Sequence, residues 1–317
     1  GHGIRSDDVF VTFILNVDIV STLLALAGIA FNLLNVVVFV KLGLSETTNI
    51  SLLSLALADV VILLTIIGYT VVYNPLTLSA APNLDILDAV NYVVLGTPHV
   101  MFSRIAGCLT AFVALERFLC VAFPLHVKII VTPGKTTSAV LCINILTVVF
   151  TLPTFIANQI GPRLNAQLNL TVVGLIQAPS VAEFEGVTIM FNLIVQMTSF
   201  VVVTLSTLGL IRSLHKVTQW RKSSSSSQIP RVSGRDKQLV KMVIMISVAF
   251  IVSSFPTLLV NTLQAFVKEF SVRGREKNLF IAVCAVLFNL QTIHSVVNIF
   301  IYLSMSTRFK RQLFDIF

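Results

Sequence analysis

Charge is scarce in this sequence. Asp, Glu, Lys and Arg make up 11% of the 317 residues, while 56% are hydrophobic and the mean hydropathy is +0.92. A soluble domain carries about 25% charged residues. So few charges cannot cover so much apolar surface in water, which excludes an ordinary water-soluble globule and makes the bilayer the expected solvent. Cysteine is also sparse. Cys108, Cys120, Cys142 and Cys284 each sit inside an apolar block without metal-site spacing, so they read as reduced thiols packed as small hydrophobes. No ten-residue alternating pattern repeats, which excludes a transmembrane β-barrel. The start, GHGIRSDDVF, lacks Met and leads into an apolar block too long for a signal-peptide core. The first block is expected to act as a signal anchor, and the missing Met fits a processed, trimmed or incomplete start.

What the sequence does have is apolar length. A membrane-spanning helix needs roughly 20 mostly apolar residues. Seven blocks meet this, at 10–41, 50–73, 89–121, 137–158, 187–212, 239–266 and 279–303. Lipid offers no hydrogen bonds to a bare backbone, so each block is expected to be helical. The predicted fold class is therefore an all-α bundle of seven transmembrane helices. Residues 1–9 form an extracellular N-terminus, 10–303 the bundle with a third inner loop at about 213–238, and 304–317 a cytoplasmic amphipathic helix and tail.

The net charge of +8 would suit nucleic acid in a soluble protein, but here the basic residues are confined to certain loops. With the N-terminus outside, fifteen Lys and Arg lie on the inner side and six on the outer, with Arg104 alone inside a span. That bias orients the bundle N-out, C-in and points to membrane lipids rather than nucleic acid as surroundings. The sequon at Asn169 falls in the loop after the fourth block, which this topology places outside, so Asn169 is a candidate for glycosylation. The segment KSSSSSQIPRVSGR reads as a disordered basic linker with serines open to phosphorylation.

A set of polar motifs recurs in order along the spans. The third ends Glu116-Arg117-Phe118, with Pro124-Leu125 in the next loop. The first carries Phe31-Asn32-Leu33, and the second Leu55-Ala56-Leu57-Ala58-Asp59. The sixth has Phe250 six residues before Pro256. The seventh ends Asn298-Ile299-Phe300-Ile301-Tyr302, and Phe309-Lys310-Arg311 follows. In this order the chain resembles the rhodopsin-like (class A) G-protein-coupled receptors over nearly its whole length. The variant SVVNIFIY, with Ile in place of Pro, is similar to invertebrate peptide and chemosensory receptors, molluscan ones among them.

The resemblance implies a receptor, not an enzyme, multi-pass in the plasma membrane. Such a receptor binds an extracellular ligand, peptide or small molecule, and activates a heterotrimeric G protein. It implies a switch made of Glu116, Arg117, Phe250, Pro256, Asn298 and Tyr302, in which the acid holds Arg117 at rest. It implies a polar relay of Asn32, Asp59, His294 and Ser295, with sodium at Asp59 as the one candidate bound ion and no other cofactor. Ala106 stands where the family has Ser, which reduces the oxygen count.

The residues themselves point to a polar-lined pocket in the outer half of the bundle. His99 and Ser103 are four apart and share a helix face. Arg104 is a full charge inside a span, so it either pairs with a neighbouring helix or holds an anionic ligand group. Asn192, Gln196, Asn261, Gln264, Asn289 and Thr292 supply further polar groups, each equally suited to a helix–helix hydrogen bond. His99 lies where amine receptors of the family carry Asp, which disfavours a biogenic amine. Tyr92 takes the place of the family's loop-anchoring Cys, so the outer loop is expected to be less constrained. The alternative is a transporter or channel, against which stands the lack of any half-repeat. A retinal pigment needs a Lys in the seventh span, and 279–303 has none.

Overall fold

Each apolar block closes its own backbone hydrogen bonds. The computed structural model describes residues 3–72, 74, 77, 84–123, 127, 130–165, 170–223, 234–267, 269–270 and 275–316. Among these are seven helices long and apolar enough to cross a membrane. They are α1 (Gly3–Leu42), α2 (Thr47–Val72), α3, α4 (Pro133–Ala157), α5 (Val181–Ser223), α6 (Gly234–Phe266) and α7 (Lys277–Met305). The third is built of three stretches: Leu84–Val90, a wide π-helical turn at Asn91–Gly96, and Thr97–Ala122. A short α8 (Thr307–Phe314) follows α7 after a kink at Ser306, whose hydroxyl accepts from the Phe309 amide.

The wide turn has a local cause. Pro98 has no N–H, and its ring would clash with the carbonyl four residues earlier in a regular helix. Just before it, the Thr97 amide reaches back five residues to the Tyr92 carbonyl, and the Thr97 hydroxyl donates to the same oxygen at 3.0 Å.

The third helix is central and packs against α2, α4, α5 and α6, while α1 closes the ring against α2 and α7. At one end the core gathers Leu55, Leu109, Val113, Leu210, Val243, Ile246 and Tyr302. Toward the other, Ala25, Ile62, Leu63 and Ile66 seal α1 against α2. The contact there is close: a Cβ on Gly28 would stand 2.9 Å from Leu63. Leucines, isoleucines and valines that face outward from the helices are exposed, as a lipid-facing surface requires.

Two features differ from the sequence expectation. The outer segment after α4 is an antiparallel hairpin, β1 (Asn158–Asn165) paired with β2 (Leu170–Gln177). Asn169 and its predicted glycosylation lie outside the described residues, as do Pro124 and Leu125. The third inner loop is also shorter than 213–238, because α5 continues to Ser223 and α6 resumes at Gly234. No Gly or Pro interrupts 213–223, so nothing in that stretch breaks the helix.

Candidate functional site

Two chambers lie between the helices in the outer half. The deeper one has a volume of about 240 Å³ and is lined by His99, Ser103 and Arg104 from α3, Gln196 from α5, Asn261 from α6, and Gln291 from α7. Asp59 and His294 also face it, and Phe250 stands in its wall. Their spacing on helices explains the convergence: His99 and Ser103 are one turn apart, and Ser103 accepts from Gln291 at 2.8 Å. His99 Nδ1 lies 2.9 Å from the Thr65 hydroxyl, and Asn261 donates to Gln196 at 2.9 Å, which ties α6 to α5.

Two groups in this set lack partners: His294 Nδ1, and Arg104, the only full cation among the described lining residues. Its Nε is buried without a hydrogen-bond partner, and no ion pair reaches its guanidinium among the described residues. A buried cation without a counter-charge is costly, so the chamber presents an unused donor.

The second chamber sits outside the first and holds about 420 Å³. Asn192 and Gln264 line it, together with Asp18 and Glu185. The two chambers share Tyr69, Val100, Cys284 and Phe288. Tyr69 stacks on Phe288 with centroids 5.1 Å apart, and His99 meets both rings edge-on at 5.7 and 5.0 Å. This aromatic collar separates the chambers.

Asn289 and Thr292 line neither chamber. The Asn289 amide donates to the Ala285 carbonyl and the Thr292 hydroxyl to that of Phe288, both within α7. The other seven residues expected for the ligand divide between the two chambers, five deep and two outer.

Beneath the deep chamber lies the polar relay. Asn298 donates to Asp59 Oδ2 at 3.2 Å, and Ser295 also hydrogen-bonds the Asp59 carboxyl. Asn32 donates to Ser295 Oγ at 3.0 Å, so α1, α2 and α7 are tied through three side chains. The Asn298 carbonyl oxygen is buried with no donor. That orphaned oxygen, with the Asp59 carboxyl and the Ser295 hydroxyl, is a hard-oxygen donor set that fits a small cation. His294 sits one residue above and touches the Phe250 ring edge-on at 6.0 Å. A Cβ on Gly107 would meet Phe250 at 3.6 Å, so the Phe250 ring abuts α3 without forcing.

At the inner end Glu116 and Arg117 pair with each other. Thr47, at the start of α2, donates to the Glu116 carboxylate and accepts from Arg117 at 3.1 Å. The latch therefore joins α3 to α2. Tyr302 is buried and packs edge-on against Phe39 of α1 and at a tilt against Phe309 of α8, at 5.3 Å from each. Arg308 of α8 pairs with Glu46 at 2.6 Å. Pro256 lies inside α6, between Phe250 and Asn261.

The outer loop is held by polar contacts. The Tyr92 hydroxyl donates to Glu185 at 2.6 Å, and Asn158 donates to the same oxygen at 3.1 Å. Gln177 donates to Asn158 at 3.0 Å, and Arg163 of β1 pairs with Asp85. Tyr92 and Asn158 thus share the Glu185 carboxylate, which ties the outer part of α3 and the start of β1 to α5. The four cysteines are free.

Sequence reasoning missed Thr47, Asp18, Tyr69, Phe288 and Gln291. Apart from Asp18, their partners lie on other helices, tens to hundreds of residues away. Only Asp18 carried a signal, as an acid within the first apolar block.

The model of one protein family, described as 7 transmembrane receptor (rhodopsin family), matches residues 32–302. No curated protein matches the chain.

Proposed function

Since the chain belongs to the rhodopsin family of seven-transmembrane receptors, we propose that it is switched by an extracellular ligand whose anionic group binds Arg104. It is a G-protein-coupled receptor, a multi-pass protein of the plasma membrane in a family made up of receptors and not enzymes. The observation that carries the ligand class is the unpaired Arg104 guanidinium in the wall of the deep chamber. A carboxylate, sulfonate or phosphate would supply the counter-charge and accept from the planar fork. Phe250 lines the same chamber and leads to His294 and the relay, so a ligand there bears on the element that must move.

The inner side has a place for the transducer. A cleft of about 410 Å³ opens between α5, α6 and the end of α7, lined by Ile211, Leu214, Ile244, Met245 and Met305 with His215 and Lys241 at its edge. An amphipathic helix of a G protein would lay its apolar face there. Ligand binding would bias the bundle toward the state in which the Glu116–Thr47–Arg117 latch opens. A sodium ion between Asp59, Ser295 and Asn298 would bias it the other way.

The test is G-protein activation measured by a resonance-energy-transfer sensor in cells, with small organic acids and amidated peptides as ligands. A response to acids that Arg104→Gln removes and Arg117→Ala uncouples, at matched surface expression, supports the proposal. A response to neutral amides that ignores Arg104→Gln overturns the ligand class.

A further inference from the structure

The two chambers have opposite unmet needs. The deep one ends in a donor without an acceptor, the Arg104 guanidinium. In the outer one the groups left without partners are acceptors. Asp18 Oδ2 is buried in α1 with no hydrogen-bond donor, and Asn192 Oδ1 on α5 is buried without one as well. Glu185 lines the same space and receives only neutral donors, from Tyr92 and Asn158. Among the described residues, no Lys, Arg or His side chain lines that outer chamber. Two carboxylates therefore share a half-enclosed space with no cation among its described lining residues, while Arg104 lies beyond the aromatic collar with no ion-pair partner among the described residues.

Charges removed from water without partners are unfavourable, so Arg104 would gain from an anionic group and Asp18 from a cationic one. The chambers share a wall of Tyr69, Val100, Cys284 and Phe288, so a molecule that threads past these side chains would occupy both. The outer volume falls within the range of small-molecule sites, roughly 300–1,000 Å³, and the deep one adds room for one terminal group.

From this we infer that the ligand is dipolar: an anionic group on Arg104, an apolar stem passing the Tyr69–Phe288 collar, and an ammonium or guanidinium held by Asp18 in the outer chamber. The inference rests on the assignment of the anion to Arg104 and adds the opposite pole. Asp18 is then a specificity-determining residue, because it separates zwitterions from simple acids. The aromatic faces of Tyr69 and Phe288 suit both a methylene chain and a passing cation.

The experiment uses the full chain in cells and the same G-protein sensor. The probes are linear ω-amino acids of increasing length, each with its N-acetyl acid and its methyl-ester amine. The expected result is that one length of amino acid is more potent than its N-acetyl acid by roughly tenfold or more, the scale of losing one partner of a buried charge pair. Asp18→Asn should abolish that preference and leave the N-acetyl acid unchanged, while Asp18→Glu should keep it. If N-acetyl acids match the amino acids and Asp18→Asn changes nothing, the dipolar inference fails and the Arg104 assignment stands. If methyl-ester amines match the amino acids, or no probe acts, the Arg104 assignment fails and this inference falls with it. Should Asp18→Asn not reach the surface, the wild-type ranking of amino acid against N-acetyl acid decides alone.

Discussion

Replacing Arg104 by Met should stabilise the ligand-free receptor. Met keeps an unbranched stem of similar reach and removes the guanidinium. An Arg at the centre of a membrane helix is disfavoured by roughly 2.5–3.5 kcal/mol on insertion scales. The polar wall of the deep chamber, with Ser103 and Gln196 among its lining, offsets part of that. The net gain should be about 1–3 kcal/mol. At about 2–4 °C per kcal/mol for a domain of this general size, the melting temperature should rise by roughly 2–12 °C. The free thiols of Cys108 and Cys284, both partly buried, offer a direct readout through a thiol-reactive dye that labels them as the bundle opens. The assay is thermal unfolding of purified receptor without ligand, wild type against Arg104→Met. The same variant should lose its response to acids, the usual trade of function against stability. An unchanged or lower melting temperature would refute the reasoning, because it would show that the guanidinium has a stabilising partner in the resting receptor.

Three further outcomes are expected. Thr47→Val removes the hydroxyl that bridges Glu116 and Arg117, so ligand-independent nucleotide exchange should rise severalfold at matched expression. If sodium binds the relay, raising sodium at constant ionic strength should lower agonist affinity, and Asp59→Asn should make affinity independent of sodium while potassium has no effect in either protein. Dithiothreitol should leave ligand responses intact, since the outer loop has no disulfide to reduce, whereas Tyr92→Phe should speed amide exchange at the outer ends of α3 and α5 by removing a hydrogen bond of about 0.5–1.5 kcal/mol.

The spans were legible because lipid allows the chain few options. Twenty apolar residues in a row have to become a helix, and their ends have to carry the charges. Arg104 was legible for the same reason, as a lone charge that such a helix does not tolerate without use. The contacts between helices were not. Thr47 is one threonine among many until the fold sets it beside Glu116, and Tyr69 and Phe288 read as ordinary span residues until they stack. The outer hairpin was hidden by its composition: Gly161, Pro162 and several polar residues gave β1 the look of an irregular loop. What holds its strands is pairing with β2 and anchorage to α3, neither of which leaves a local pattern.

The wide turn at Asn91–Gly96 changes how this chain aligns with others. A π turn accommodates an extra residue, and each residue of an α-helix turns the chain by about 100°. Counting backwards from Arg117 therefore keeps phase as far as Thr97 and loses it beyond. Tyr92 stands inside that stretch, and its hydroxyl meets Glu185 of α5. Deleting one residue within 91–96 would restore the regular winding and swing Tyr92 by about a quarter turn away from α5. The outer tip of α3 thus behaves as an insertion absorbed by a helix, and a gap belongs there in any comparison with a receptor whose third helix is regular.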